Sequence, residues 1–422
     1  MIWKPQLVIS CPASSRSGYG DHARDIVRSL INLQKFDVKV LDQPWGNCPR
    51  TELKSHPDIS KLVISNMTAQ PDVFIQVTVP NEFQKVGKYN IGITAGIETD
   101  RCAPEWIQGC NNMDLVIVPS EHAKNVFMNT IYNGKDQNNQ PIELKLETPI
   151  EVVLEGLDLN VFKKTTASTK TVDDLMSTVE SDFAFLFVGH WLKGNFGHDR
   201  KDVAGLIQTF HNTFKNKSKK NQPALILKTG MAGFSRVDEH ALRSRILQLT
   251  GSEGPEIKIV HGELTPQDMN ALYNHKKVKA MVSFTKGEGF GRPLLEFGVT
   301  GKPIIATNWS GHIDFLKHAT LLPGKLQPVD KSAQWDKVII DGSQWFYVDY
   351  NAATSYFKAI YKDYKVFCED SRKQPQHIKK NFSLEKADEI YASVFEQYVP
   401  DFPEPVQLKL PELTLPTLEK TT

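Results

Sequence analysis

The sequence predicts an α/β protein of two doubly wound domains, each built on a parallel sheet, facing one another across a cleft. Three observations predict it. Short apolar runs alternate with amphipathic helical stretches from residue 7 to residue 154, and the alternation restarts at residue 183. The Thr-, Ser- and Lys-rich residues 163–180 separate the two runs. Residues 280–306 read as strand, glycine loop, helix and strand, which is one parallel βαβ unit.

In the first half, residues 7–11 form the first expected strand. The turn Ser14-Ser-Arg-Ser-Gly-Tyr-Gly20 follows, and Asp21 or a neighbour caps a helix whose Ala23, Ile26, Val27, Leu30 and Ile31 fall at helical spacing. Gly18 and Gly20 thus meet a helix N-terminus, a pattern shared by ligand loops and ordinary βα turns. Strands are expected at 38–41, 73–77 and 91–94, the last running into Ala95-Gly-Ile-Glu98-Thr99-Asp100. Another lies within Met113-Asp-Leu-Val-Ile-Val-Pro-Ser120, and Ser120 is placed to cap a helix that buries Ala123, Val126 and Phe127. Residues 132–147 are polar and read as an exposed insertion. Strand 150–154 closes the first domain, taken as 1–162, with 163–180 as linker.

In the second half, strand 183–188 ends at Gly189. A polar loop then carries His190 and brings Arg200 and Lys201 to the start of a helix burying Val203, Leu206, Ile207, Phe210 and Phe214. Arg suits bidentate phosphate contact and Lys a point-charge contact. Lys228 ends the strand at 224–227, and the lysines at 215, 217, 219 and 220 read as a solvated helix end. A strand at 257–260 leads to Thr265-Pro266, which opens a helix with Met269, Leu272 and Tyr273 inward. The domain is taken as 181–383. Ala387, Ile390, Tyr391, Val394, Phe395 and Tyr398 trace a final helix over 384–398, and the Pro-containing residues 400–422 read as an extended or disordered tail.

Composition narrows the class. The 422 residues are 40% apolar and 23% charged, enough for a sizeable core. Fifty Lys and Arg against 49 Asp and Glu argue against bulk electrostatic binding to nucleic acid or an anionic membrane. Five scattered cysteines without a CxxC pair suggest neither a disulfide framework nor a zinc site, which fits a reducing cytoplasm. The short apolar run after Lys4 and Pro5 is not a signal peptide. No run approaches the roughly 20 apolar residues of a membrane span.

The chemistry concentrates in Ser283-Phe-Thr-Lys-Gly-Glu-Gly-Phe-Gly-Arg-Pro-Leu-Leu-Glu296. Gly287, Gly289 and Gly291 form the loop, and Pro293 sits where a helix begins. Glu288 and Glu296 stand with seven residues between them. Loop amides beside a helix N-terminus favour an anion, and a carboxylate at each edge can hold hydroxyls. Spacing alone supports a nucleotide or phosphosugar site, or an ordinary βα turn with two solvated glutamates.

The string Glu288-Gly-Phe-Gly-Arg-Pro-Leu-Leu-Glu296, followed by Gly301-Lys-Pro-Ile-Ile-Ala306, closely resembles the E-x₇-E signature of family 4 retaining glycosyltransferases (glycosyltransferase group 1). Residues 113–120 resemble that family's D-x-V-x-x-P-S strand, and Glu155-Gly-Leu-Asp158 with Phe162 resembles its G-V-D-x-x-x-F junction. The resemblance implies a GT-B fold of two Rossmann-like domains, with the 384–398 helix crossing back onto the first. It implies that Glu288 holds donor-sugar hydroxyls and Glu296 the ribose hydroxyls. The backbone of Gly289, Phe290 and Gly291, with Arg292 beside it, would meet the donor. The family's diphosphate-binding Arg is replaced by His190, and its Lys is matched best by Arg200, so Lys201 or Lys228 would supply further charge. Gly18 and Gly20 match the first glycine loop loosely. Glu98 stands near the family's usual His and is a candidate for acceptor orientation or base work, or a salt-bridged loop residue. The implied activity is retaining and metal-independent, with a nucleotide sugar as co-substrate and no separate cofactor. The acceptor stays open among a glycan, a lipid-linked or small molecule, and a modified DNA base as in phage DNA-modifying glycosyltransferases. A nucleotide-sugar epimerase of this fold and a non-catalytic glycosyltransferase-like subunit are the alternatives. Oligomeric state is left open.

Overall fold

The computed structural model describes residues 3–135, 139–192, 194–230 and 235–404. Two six-stranded sheets organise them, and every pairing within each is parallel. The first contains β1 (Gln6–Cys11), β2 (Asp37–Asp42), β3 (Val73–Val77), β4 (Tyr89–Ile93), β5 (Leu115–Val118) and, after a hairpin of β6 (Tyr132–Lys135) with β7 (Pro141–Leu144), β8 (Ile150–Val152). Its order is β2-β1-β3-β4-β5-β8. The second contains β9 (Ala184–Val188), β10 (Ala224–Lys228), β11 (Ile257–Val260), β12 (Val278–Ser283), β13 (Ile304–Thr307) and β14 (Thr320–Leu322), in the order β11-β10-β9-β12-β13-β14. Chain order therefore reverses between β1 and β3 and between β9 and β12. In open α/β sheets, ligands bind beyond the strand C-termini at such switch points.

Both sheets are covered on both faces, which is why their strands read as unbroken apolar runs. Along β9, Ala184 and Leu186 enter one core while Phe185 and Phe187 enter the other. In β5, Leu115 and Ile117 face one side, and Val116 and Val118 face the side of Trp106.

The domain crossing is shorter than the sequence predicts. Leu157 and Phe162 already pack in a core of the second domain. Within 163–180, Thr169 caps a helix, Lys170–Ser177, whose Val172 and Met176 are buried in that core. The polar composition of this segment belongs to the outer face of a docked helix, not to free chain. The return crossing lies beside the outward one, where Leu157 N–H donates to Phe382 O at 2.8 Å and Leu384 N–H to Leu157 O at 3.3 Å. The helix Leu384–Tyr398 then buries Tyr391, Val394 and Phe395 in a first-domain core.

Ser17, not Asp21, caps the first helix, Gly18–Asn32, because its hydroxyl accepts from Gly20 N–H. The polar 132–147 segment holds the exposed β6–β7 hairpin. Between β14 and the last helix lie a second hairpin, β15 (Gly324–Pro328) with β16 (Gln344–Val348), and three helices, Tyr350–Lys362, Tyr364–Ser371 and Gln374–Asn381. The tail expected at 400–422 lies, from 405 onward, outside the described residues. Among the described residues, no helix is long and apolar enough to cross a membrane.

Candidate functional site

The glycine loop leaves β12 at the second switch point and presses against the loop that follows β4 of the first domain. A Cβ on Gly287 would lie 1.9 Å from Glu98 O, and one on Gly289 would lie 1.9 Å from Ala95 O. Only glycine lets the two backbones approach this closely. Ser120, which caps the helix Glu121–Asn129 as expected, also donates its hydroxyl to Gly289 O at 2.6 Å. Gly291, at φ +100°, caps the following helix, Arg292–Gly298.

Two cations converge on Glu288. Arg200 and Lys201 lie in the turn before the helix Val203–Phe214, outside the helix itself. Arg200 Nη1 donates to Gly287 O at 2.9 Å and to Glu288 Oε2 at 3.1 Å, and lies 3.8 Å from Glu98 Oε1 of the first domain. Lys201 Nζ donates to Glu288 Oε1, and Glu288 N–H donates to Ser310 Oγ at 2.9 Å. Burial alone would raise the Glu288 pKa, but Lys201 and Arg200 outweigh it and hold the carboxyl at about 2. Glu98, Arg200, Lys201 and Glu288 therefore form one charge cluster spanning the cleft.

Glu296 belongs to a second cluster. Tyr273 Oη donates to its Oε2 at 2.9 Å, and Arg292 Nε lies 3.5 Å from Oε1. Arg292 faces the first domain: its Nη1 donates to Asp25 at 2.8 Å and lies 3.6 Å from Glu155. Burial pushes Glu296 and Glu155 each up to about 7, against the opposing pull of Arg292.

The remaining expected residues divide. Phe290 is buried and packs on Phe315, so its side chain serves the core. Gly20 is a packing position, where a Cβ would lie 2.0 Å from Ser15 O, whereas Gly18 has open space around it. His190 is exposed at the end of β9. Lys228 Nζ, at the end of β10, donates to Gly262 O at 2.8 Å.

Sequence reasoning missed several participants. The pairing of Asp25 and Glu155 gives no signal in the sequence, because it depends on Arg292 crossing the cleft, and Tyr273, expected inward on its helix, gives no sign that its hydroxyl reaches Glu296. Arg16 also crosses, pairing with Glu263 at 2.8 Å and donating to Leu264 O at 3.2 Å. Among the described residues, no group of three or more His, Cys, Asp or Glu is placed to hold a metal ion. A broad depression of about 1810 Å³, lined by Lys219, Arg243 and Glu253, lies at the opposite end of the second sheet. The charge clusters lie beyond the strand C-termini, where the switch-point rule places ligands.

Similarity to known proteins agrees with this geometry. The model of the family "Glycosyl transferases group 1" matches residues 194–341, which include Arg200, Lys201, Glu288 and Glu296. No curated protein sequence matches the chain. Among solved structures, Anabaena Alr3699/HepE in complex with UDP-glucose is 14% identical, with a TM-score of 0.58 over 93% of this chain and 100% of that one. A glycosyltransferase from Rickettsia africae is 12% identical, with a TM-score of 0.62 over 94% and 100%. Sucrose-phosphate synthase from Thermosynechococcus elongatus is 12% identical, with a TM-score of 0.60 over 94% and 99%. These likenesses establish the two-domain GT-B fold.

Proposed function

We propose, from the match of residues 194–341 to the group 1 glycosyl transferase model and from the GT-B frame around them, that the protein moves a sugar from a nucleotide sugar to an acceptor hydroxyl with retention of anomeric configuration. The observation that carries the reading is the cleft cluster in which Arg200 and Lys201 converge on Glu288 with Glu98 across the gap.

Cleaving the anomeric C–O bond builds positive charge on the sugar and negative charge on the departing diphosphate. Preorganised cations facing the diphosphate lower that barrier most, since they need no reorganisation as charge develops. Arg200 and Lys201 fill this role, and their pairing with Glu288 keeps them in place. Glu288 holds donor-sugar hydroxyls, and Glu296 the ribose hydroxyls. Glu98 approaches from the first domain, so it orients the acceptor hydroxyl on the face the diphosphate leaves, as retention requires. The close contact of the two loops excludes water and limits donor hydrolysis. The cations supply the charge compensation without a metal, and the nucleotide sugar is a co-substrate. Four of the five free cysteines are buried, consistent with a cytoplasmic protein.

Alr3699/HepE is in complex with UDP-glucose, and another structural neighbour, from E. coli, is bound with UDP-2-fluoro glucose. UDP-glucose is therefore the first donor to test, within a thermal-shift screen of UDP-, GDP-, ADP- and dTDP-sugars. One donor is expected to raise the melting temperature and to release nucleotide when an acceptor is supplied. A chain that neither binds nor turns over any of them is not a glycosyltransferase.

A further inference from the structure

Beneath the cation turn lies a buried charge that the mechanism does not use. Lys286 and Asp202 are both 0% exposed. Lys286 Nζ lies 3.1 Å from Asp202 Oδ1, donates to Asp199 O at 3.1 Å, and sits 4.7 Å from the centre of the Tyr347 ring. Tyr350 Oη donates to Asp202 Oδ2 at 2.6 Å. Lysines are almost never fully buried unless paired. A buried ion pair is weak evidence for stability, since apolar replacements are often neutral. Its position points elsewhere.

Lys286 fastens the turn of residues 199–202 by its backbone and by its side chain. Its N–H donates to Arg200 O at 2.7 Å, and its ammonium holds Asp199 and Asp202 on either side of Arg200 and Lys201. Asp202 takes a left-handed conformation, φ +49°, and opens the next helix by accepting from Leu206 N–H at 2.9 Å. A non-glycine residue is held there only when its surroundings fix it. Two residues after Lys286 comes Glu288, the carboxylate that Arg200 and Lys201 both reach. One residue thus sets the position of both cations and is two residues from their shared partner.

We infer that Lys286, with Asp202 and Tyr350, is a positioning group that sets Arg200 and Lys201 for the leaving diphosphate. The inference rests on the glycosyl-transfer reading. It does not make Lys286 a catalytic residue, because Lys286 acts through the turn. A misplacement of about 1 Å in such a constellation costs on the order of 100-fold in rate.

The test is K286M/D202N, which removes both charges of the ion pair together and leaves the buried Asp199 carboxyl, which burial pushes up to about 6, beside the turn. The full chain is assayed for nucleotide release from UDP-glucose, or from whichever UDP-, GDP-, ADP- or dTDP-sugar stabilises the wild type most. The expected result is a melting temperature within about 5 °C of wild type and a kcat lowered about 10- to 100-fold. A kcat loss smaller than about tenfold, or a loss confined to KM, overturns the inference. If the double variant melts more than about 5 °C lower, Tyr350→Phe decides in its place. A kcat loss of at least about threefold supports the inference, and a smaller one overturns it. Wild-type protein that turns over no donor overturns the glycosyl-transfer reading and this inference with it. Active wild type with a fully active decisive variant overturns this inference alone.

Discussion

Glu288 stays ionised in a buried place because Lys201 and Arg200 both reach it. Removing either cation leaves a buried carboxylate with half its compensation and takes charge away from the diphosphate path. Lys201→Ala is expected to lower kcat by about 100- to 1000-fold, the range seen when one preorganised donor is removed from a developing anion. Steady-state nucleotide release checks it, and a kcat within a few-fold of wild type would remove Lys201 from the mechanism. Glu296 gives a pH prediction. With its folded pKa raised to about 7 by burial, it carries a proton at pH 6 and is largely ionised at pH 8. The ionised form accepts hydroxyls at both oxygens, so donor KM should fall as pH rises through 7. Glu296→Gln should flatten that dependence, and a KM inflection that survives in the variant would assign it to another group. Glu288 and Glu296 stood out by their spacing, while their separate roles came only from the family resemblance, and Ser120 was legible from capping rules. Arg292 and Phe290 were not, because adjacency in sequence says little about which side of a loop a side chain takes. Lys286 was invisible for the same reason: a lysine in a glycine loop reads as solvated until burial is known.

The elements that place these residues were largely legible. Buried parallel strands read as apolar runs, and the capping box of Thr265 with Asp268 marks a helix start at Pro266. The β15–β16 hairpin was missed because β15 is almost wholly exposed and carries no apolar run. The hairpin still matters, since Gln344 and Asp100 exchange hydrogen bonds across the cleft at 2.9 and 2.6 Å. The glycine loop is the element whose geometry is most exacting. A methyl on Gly287 would collide with the backbone of Glu98, and no flexible side-chain end is there to yield. Gly287→Ala should push the loops apart and lower kcat/KM by about 100-fold or more, while the second-domain core stays intact. Near-wild-type kcat/KM in this variant would mean that the close approach of the loops is not needed for turnover.

At the scale of the whole molecule, the two domains meet through charge as well as through loops. Arg292 reaches Asp25 and Glu155 of the first domain while standing beside Glu296. Arg292→Leu leaves these buried carboxylates without their cation, an effect of about 3–5 kcal/mol by comparison with other broken buried pairs. The pH sign follows from the raised values. Glu155 and Glu296 have folded pKa values of about 7 against an ordinary 4.5, so the folded state binds more protons between those values. Their contribution to stability is present below about pH 4.5 and is lost as pH rises through 7. The melting temperature of Arg292→Leu, relative to wild type, should therefore fall further at pH 8 than at pH 5. Equal differences at both pH values would show that the carboxylates are not coupled through Arg292. The two-domain plan itself was legible from the repeated alternation. The short crossings at Leu157 and Leu384 were not, since the polar stretch after Phe162 reads as a linker until its inner face is seen packed.

Everything proposed for the cleft depends on transfer of a sugar with its anomeric configuration kept. Proton NMR of the reaction, run with the donor that stabilises the wild type most and with a panel of acceptor classes, tests that step without intermediaries. Nucleoside diphosphate is expected to appear together with a product whose anomeric signal has the donor's configuration, and Lys201→Ala is expected to slow both signals equally. A product of inverted configuration, or a donor consumed without any nucleotide released, would contradict the proposed transfer.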